Sequence, residues 1–539
     1  MTQGTATSGN TVTRAGWYTL GLVSATQMIS LLDRNILAIL ATDIKQDLDI
    51  GDAELGLLYG TVFALFYAIF SLPLGRLADG WIRTRLLAIC IAAWSFATGL
   101  AAFAGGFALL ALSRLGVGIG EAASQPAGTS LVFDHFPKAR RGLAMAAIAA
   151  AIALGLGLSL VLGGVTAEWW DAKYAGGAAP MDFRGWQFAF IVAAIPGLFV
   201  AVLLWRLREP KRGAMDGIDS PEDPHPFRAS AGILGSVLPV TNWFTFWQRG
   251  ATGRDWAVNL GSLVLIAAAM IGLTEWASVF SPRPTLGILG LAVNPHAMQW
   301  GVVGIGLYAL LNLAQSLRLA DKPLFVVLTS PSLLLAMAVG SLQMVINYGV
   351  MGFTPLFLMQ QHGLSASQTG LQFGILATAL GVIGPLISGP VSDWVNTRHP
   401  GKGRIWVVIV SLGLSPIPAI LAYTSASTAG FYLWFTVQSL LLTMWFPPLY
   451  AAMFDLVLPR MRAITFSIYL VAYTILGLGI GPYAVGMVSD ANGGELGSAI
   501  LTVLWVAPVI VALLFVLMIR IRRDEESMLA RARAAGERS

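Results

Sequence analysis

The chain has 539 residues, of which 56% are hydrophobic and only 11% are charged, and its mean hydropathy is +0.72. This composition excludes an ordinary water-soluble domain and indicates a protein that crosses a membrane several times. The net charge of +5 does not indicate nucleic-acid binding, because the basic residues lie at the ends of apolar segments and form no single patch. A single cysteine, Cys90, excludes a disulfide within the chain.

Apolar segments long enough to cross a bilayer recur along the chain, since a crossing helix needs about 20 apolar residues. Twelve of them form two groups of six, predicted near 15–42, 53–78, 84–104, 107–134, 140–167 and 186–207, and near 328–360, 366–391, 404–424, 430–457, 463–488 and 496–521. We therefore predict an all-α polytopic membrane protein. Its bundles span 1–209 and 323–522, followed by a cytoplasmic tail at 523–539.

The region between the two groups has a different composition. Polar, proline-containing sequence predicts a cytoplasmic linker at 210–254, and two weaker apolar segments near 255–277 and 299–318 predict an inserted hydrophobic hairpin within 255–322. These segments carry Asn259, Asn312 and Gln315, so a re-entrant or interfacial arrangement is an alternative. The hairpin would bring the number of membrane helices to fourteen.

Lysine and arginine concentrate in alternate loops, such as those containing Arg83, Lys138 and Arg208, whereas the opposite loops are acidic or nearly uncharged. Basic loops face the cytoplasm in most membrane proteins. We therefore expect both termini to be cytoplasmic, in a bacterial inner membrane.

An internal repeat relates the two groups. The segment 56–60 recurs at 370–374, and Gly75 with Asp79 recurs as Gly389 with Asp393, all at an offset of 314 positions. The turn at 137–140 matches 459–462 at an offset of 322. The repeat predicts two six-helix bundles related by a pseudo-twofold axis, with a substrate site between them near the middle of the bilayer.

Charged residues inside the predicted membrane helices are the strongest functional signal. Asp33 and Arg34 interrupt the first helix, and Arg114 and Glu121 share one face of the fourth, roughly 10 Å apart along its axis. Such residues usually mark a polar path through a membrane. We predict Asp33 and Glu121 as proton-coupling sites, with Arg34 and Arg114 as substrate or coupling partners. The alternative is a permanently ionised quartet that only joins the two helices.

The sequence from Gly75 to Asp79, followed by Arg83, resembles the signature loop of the major facilitator superfamily, although Gly80 and Ile82 depart from its usual pattern. The resemblance implies a cytoplasmic gate in which charged side chains pair with helix ends of the opposite half. We assign to this gate the following residues: Asp79, Arg83, Arg140, Asp393 and Arg462. The alternative is that they only set topology and cap helices.

Within that superfamily, the motifs at 32–34, 52–57, 118–122 and 136–141 are most similar to those of the spinster group. The resemblance implies a proton-coupled transporter that moves a lysophospholipid or sphingolipid by alternating access. The region of the C-terminal half equivalent to Asp33 and Arg34 is uncharged, so we expect an apolar, aromatic wall there. An organic anion–proton symporter and a multidrug–proton antiporter are the alternatives.

Other classes of function find little support. The sequence contains no metal-ligand spacing, nucleophile elbow or phosphate loop in the required context. The alternating glycines 116, 118 and 120 are better explained by close helix packing. We therefore expect no enzymatic activity, cofactor or metal. The expected partners are an amphiphilic substrate, protons and membrane lipids, with no nucleic acid, and the protein is expected to act as a monomer.

Overall fold

A computed structural model describes residues 12–49, 62–177, 179–213, 215–218, 223–238, 241–283, 285–288, 291–364 and 366–537. The repeat segment 56–60 and the acidic motif at 52–57 lie outside these ranges. Twelve helical spans in the described part of the chain are long and apolar enough to cross a membrane, and two of them, Gly253–Phe280 and Pro295–Ala320, lie in the region of the predicted hairpin. The described architecture is that of two helical bundles, as predicted.

The described residues of the N-terminal bundle form eight α-helices. These are α1 Arg14–Ile39, α2 Ala41–Leu48, α3 Val62–Gly80, α4 Arg83–Leu100, α5 Phe107–Glu121, α6 Ser124–Phe133, α7 Arg141–Lys173 and α8 Gly185–Arg206. The helix predicted at 107–134 is thus broken directly after Glu121. Within the bundle α1 packs along α7, and α4 packs against both α5 and α8.

Glycines allow these close approaches. A Cβ atom at Gly120 would lie 2.7 Å from the Cβ of Trp94 on α4, and one at Gly155 would lie 2.2 Å from a backbone oxygen of α1. The alternating glycines of α5 therefore serve helix packing.

The middle of the chain is more ordered than a solvated linker. It contains α9 Pro226–Val237, α10 Thr241–Gln248, α11 Gly253–Phe280, strands β1 Leu286–Ile288 and β2 Leu291–Val293, α12 Pro295–Ala320 and α13 Lys322–Leu328. The strands pair antiparallel between α11 and α12, an element that the all-α prediction lacked. Ile233 and Val237 of α9 are buried because that helix packs on α3.

Helices α11 and α12 lie side by side. Asn259 donates to Asn312 and to Gln315, both at 2.7 Å, so the polar residues of the two helices face each other. Helix α12 also contacts α3 and α20, whereas α11 is almost entirely exposed.

The C-terminal bundle repeats the pattern of the first. Its helices are α14 Pro331–His362, α15 Ala366–Arg398, α16 Gly403–Leu414, α17 Pro416–Tyr423, α18 Thr428–Thr443, α19 Phe446–Asp455, α20 Arg462–Tyr473, α21 Gly479–Ala491, α22 Leu496–Thr502 and α23 Ala507–Ala534. A π-helical turn, Thr474–Leu478, joins α20 to α21. The predicted tail continues α23 as helix, and Glu525 of this extension binds Lys138 of the other half at 2.8 Å.

The two bundles meet along two helix pairs, α7 with α15 and α3 with α20. A central cavity lies between the halves, and a set of buried charges closes one end of the molecule. We call this end, where α3 ends and α7 and α20 begin, the basic end.

Candidate functional site

An ion pair joins α1 to α5 beside the central cavity. A nitrogen of Arg34 lies 2.8 Å from Oε2 of Glu121, and Ser30 donates to the same oxygen at 2.8 Å. The Arg34 guanidinium stacks on Phe63 and Tyr67, at 4.6 and 4.7 Å from the ring centres. These contacts hold the arginine in a fixed position next to its counter-ion.

Burial differs sharply across this ion pair. The side chain of Arg34 is 25% exposed, whereas that of Glu121 is fully buried. Glu121 also ends α5, where the partial negative charge of a helix C-terminus does not favour an ionised carboxylate. Compensation for its charge therefore depends on Arg34 and on the hydroxyl of Ser30.

Asp33 and Arg114 lie behind this pair. Adjacent residues on a helix point about 100° apart, so Asp33 faces into the bundle, towards α4 and α5, while Arg34 faces the cavity. Arg114 donates to the backbone oxygen of Asp33 at 3.2 Å and stacks on Phe190. Both carboxylate oxygens of Asp33 are buried without a hydrogen-bond partner in the described part of the chain. The predicted quartet is thus brought together as two layers, of which only Arg34 reaches the cavity.

The cavity between the halves has a volume of about 250 Å³. Its N-terminal wall contains Gln27, Ser30, Arg34, Tyr67 and Gln125. Arg34 is the only charged side chain among the described residues that line it. An anionic group inside the cavity would therefore meet one defined cation.

The C-terminal wall is aromatic, as expected, and also carries an amide. Its residues include Asn347, Tyr348, Trp445, Phe446, Tyr450 and Tyr473. Tyr473 approaches Gln125 across the cavity, with its hydroxyl 3.4 Å from the amide oxygen. One wall thus offers a cation and the other offers a broad apolar surface.

Two of the predicted gate residues cap helices of the opposite half. The Asp79 carboxylate accepts hydrogen bonds from the backbone N–H groups of Ala463 and Ile464, at 3.0 and 2.8 Å, in the first turn of α20. Asp393 accepts two equivalent bonds, at 3.2 and 3.1 Å, from the first turn of α7. Carboxylates at helix N-termini are favoured by the unsatisfied N–H groups there. These contacts join the two halves at the basic end.

Buried arginines and aspartates extend this pattern on both sides of the axis. Arg83 binds Asp134 at 2.6 Å within the N-terminal half, and Arg462 reaches Asp134 from the C-terminal half at 3.2 Å. The second set is related by a shift of 321 positions: Arg404 binds Asp455, and Arg141 reaches Asp455 across the interface at 2.6 Å. Each aspartate therefore holds one arginine from each half.

Two of the gate assignments need correction. The side chain of Arg140 is exposed, and the described residues offer it no ion pair; Arg141 takes the predicted place. The offset of 322 aligned Arg140 with Arg462, whereas the structural equivalent of Arg462 lies one residue later. In the described part of the chain, the ion pairs of Arg83 are with Asp134 and Glu209 of its own half, so Arg83 does not join the two halves.

A linker residue that the sequence did not indicate completes the network. Asp216 accepts from Arg141 at 2.8 and 2.9 Å and also pairs with Arg462. Burial alone would raise the pKa of Asp216, but the two arginines outweigh it and hold the pKa below its usual value. Gly213, with φ +76°, starts the turn that presents Asp216, and its N–H binds Asp134 at 3.0 Å.

None of these sites resembles a metal centre: the described residues include no group of three or more His, Cys, Asp or Glu side chains arranged to hold a metal ion.

Comparison with known proteins identifies the family. A family model described as Major Facilitator Superfamily matches residues 23–400 and 337–538, so the chain belongs to this superfamily of transporters, as its motifs predicted. The chain is 26% identical over 487 residues to an MFS-type efflux pump of Mycolicibacterium smegmatis. The aligned region covers 90% of this chain and 87% of the pump.

Spinster proteins are also among the relatives. The chain is 33% identical over 199 residues to the sphingosine-1-phosphate transporter SPNS2 of Danio rerio, covering 36% of this chain and 37% of that protein. The fold also matches a crystal structure of a bacterial homologue of the human lysosomal transporter spinster, in an inward-facing and occupied conformation. The superposition covers 94% of this chain and 98% of the homologue. Its TM-score is 0.56 at 20% identity, so this likeness shows a shared fold.

Proposed function

We propose that this member of the major facilitator superfamily is a proton-coupled transporter that moves an amphiphile with an anionic headgroup, of the lysophospholipid or sphingolipid kind, by alternating access. The observation that carries the proposal is the pairing of Arg34 with Glu121. Among the described residues, the cation is the only charge on the cavity wall, and its counter-ion is fully buried behind it.

Substrate and proton are coupled through competition for Arg34. An anionic headgroup that binds the guanidinium draws it away from Glu121, whose Oε2 then retains only the Ser30 hydroxyl. An ionised carboxylate left buried without its cation costs several kcal/mol. Glu121 therefore takes up a proton when the anion binds, and substrate and proton are carried in the same direction.

Asp33 is a second site for a proton. Its carboxylate has no hydrogen-bond partner among the described residues, and Arg114 is held by the neighbouring backbone oxygen. A buried acid without a partner is stable only in its neutral form. Entry of water into the N-terminal bundle during the transport cycle would let this proton leave.

The aromatic wall suits the tail of an amphiphile. A volume of about 250 Å³ is below the roughly 300–1,000 Å³ typical of ligand sites, so the cavity in this state is too small for a whole lysolipid. We propose that the substrate enters when the end opposite the gate opens. The gate contacts of Asp79, Asp393, Arg141 and Arg462 hold the basic end closed in this state, and both termini lie with that end in the cytoplasm.

Uptake into proteoliposomes tests the coupling. Glu121→Gln is expected to abolish the dependence of lysolipid uptake on an imposed pH gradient while leaving substrate binding measurable. Glu275→Gln is the matched control, since Glu275 lies exposed on α11, and it should behave as wild type. Unchanged pH dependence in Glu121→Gln would contradict the proposal.

Binding by a headgroup series tests the substrate class. Arg34→Gln is expected to weaken binding of anionic lysolipids by about tenfold or more, because a charged hydrogen bond contributes roughly 1.5–3 kcal/mol. Zwitterionic lysolipids should lose much less. Equal losses for both would rule out headgroup recognition by Arg34.

Export of apolar drugs is the second candidate, favoured by the similarity to an efflux pump along 87% of that protein. In that case apolar compounds without an anionic group would bind as well as lysolipids, and Arg34→Gln would leave their binding unchanged. An organic anion–proton symporter would instead bind sugar acids that lack a tail.

A further inference from the structure

A second groove lies on the outer face of the N-terminal bundle, outside the central cavity. It has a volume of about 480 Å³ and is formed where α4 begins and α8 ends. Three of its lining residues are arginines: Arg85, Arg206 and Arg208. We propose that this groove binds the phosphate headgroup of an anionic phospholipid from the surrounding bilayer.

The cations of the groove are available to a ligand. Among the described residues Arg206 and Arg208 have no ion pair or hydrogen bond, and Arg85 only stacks on Trp205, at 4.2 Å from its ring centre. The one acid of the groove, Glu209, is already occupied by Arg83 at 2.6 Å and by the backbone N–H of Thr84 at 3.1 Å. A concentration of unneutralised arginines at this position attracts phosphate.

A buried hydroxyl also points to a ligand. Thr84 lines the groove and is only 1% exposed, yet no described residue forms a hydrogen bond with its Oγ1. Buried polar groups without a partner are uncommon and require an explanation. A phosphate oxygen in the groove would accept a hydrogen bond from this hydroxyl.

The location favours a lipid over a soluble phosphate compound. The crossing spans Arg83–Phe103 and Gly185–Arg206 both end at the groove, which places it at the level of the lipid headgroups. Trp205 is 49% exposed there, as expected of an interfacial tryptophan. Next to the groove, towards the membrane, Ile89, Phe199 and Val202 form an exposed apolar surface along which an acyl chain can lie.

Thermal stability of the purified full-length protein in neutral detergent tests the proposal. Phosphatidylglycerol, phosphatidylethanolamine and inorganic phosphate are titrated separately. Phosphatidylglycerol is expected to stabilise the wild type at lower concentration than phosphatidylethanolamine, and inorganic phosphate is expected to have no effect at the same concentrations. Stabilisation by inorganic phosphate alone, or equal stabilisation by both lipids, would overturn the lipid assignment.

Variants locate the effect. The double substitution Arg206→Gln, Arg208→Gln is expected to weaken the phosphatidylglycerol response by about 25-fold, because each arginine near an anionic lipid contributes a factor of about five. Thr84→Val, which keeps the side-chain shape, should weaken it by a smaller factor. Arg398→Gln is the matched control, since Arg398 also stacks on an exposed tryptophan, Trp394, at 3.6 Å. An unchanged response in the double variant, or an equal loss in Arg398→Gln, would refute the site.

Discussion

Replacing Asp216 by asparagine tests whether the linker holds the basic end closed. Asp216 accepts hydrogen bonds from Arg141 at 2.8 and 2.9 Å and pairs with Arg462 as well, and these arginine side chains are 0% and 2% exposed. Removing one partner of a buried ion pair costs about 3–5 kcal/mol. Asparagine keeps one oxygen as an acceptor, so we take the lower value, about 3 kcal/mol. Because these contacts span the two halves, this cost falls on the closed state.

A change of about 3 kcal/mol alters the ratio of closed to open molecules by about 100-fold. A closed population of about 99% would then fall to about half. The distance between nitroxide labels at Ala139→Cys and His399→Cys, on opposite halves at the basic end, reports this ratio by pulsed electron resonance. The labelling requires Cys90→Ser, since Cys90 is the only cysteine.

Asp223→Asn provides the matched control for this experiment. Asp223 lies in the same linker, but its ion pair among the described residues is with Arg76 of the N-terminal half, at 3.1 Å. The control should leave the distance distribution unchanged. An unchanged distance distribution in Asp216→Asn, or an equal shift in both variants, would contradict a role of Asp216 in holding the basic end closed.

Three further predictions concern the gate and the inserted helices. The pKa of Asp216 is lowered, so the stabilisation from its charge is present above the usual carboxyl pKa and is lost only below that value. Titration of Asp216 should therefore not change the label distances between about pH 8 and 5. A change of distance in that pH range that is absent in Asp216→Asn would contradict this prediction. Gly389→Ala should increase the label distance and lower thermal stability, because its Cβ would lie 2.6 Å from the backbone oxygen of Gly142. The control Gly374→Ala, on the same helix, should change neither the label distance nor the thermal stability, because nothing lies within 4 Å of a Cβ there. Asn259→Leu should lower the melting temperature by a few degrees, since it removes the hydrogen-bond partner of the buried Asn312 and of the half-buried Gln315, while leaving transport unchanged. Loss of transport at full stability would show that transport depends on the inserted hairpin.

The bundle architecture was predictable because hydropathy and repeats depend on local sequence alone. A membrane helix satisfies its backbone hydrogen bonds within itself, so an apolar stretch such as 186–207 indicates a helix without knowledge of its neighbours. The charged residues of α1 and α5 were recognisable in the same way, because a charge inside a membrane helix is costly and usually marks a polar path. The sequence did not show the side of the helix on which each charge lies: Arg34 lines the cavity, whereas Asp33 does not.

The gate was only partly predictable, because its geometry depends on loops. Asp216 lies in a linker whose conformation is set by tertiary contacts, and no hydropathy pattern marks it. A signal for the aspartates was present, however. Asp134 and Asp455 share the offset of 321 with Arg141 and Arg462, and a search at that spacing would have found the symmetric set and avoided the error at Arg140.

The single copy of the linker has a consequence for how the molecule opens. Duplication supplies every gate residue of the bundles twice, but a segment that connects the copies occurs once and can have no counterpart. Asp216 therefore breaks the symmetry between the two repeats. It binds one arginine from each half, and it cannot keep both when the halves separate. If Asp216 stays with Arg141, then Arg462 loses this counter-ion, and the reverse holds if it stays with Arg462. Opening at this end is therefore asymmetric, although the two halves are otherwise alike.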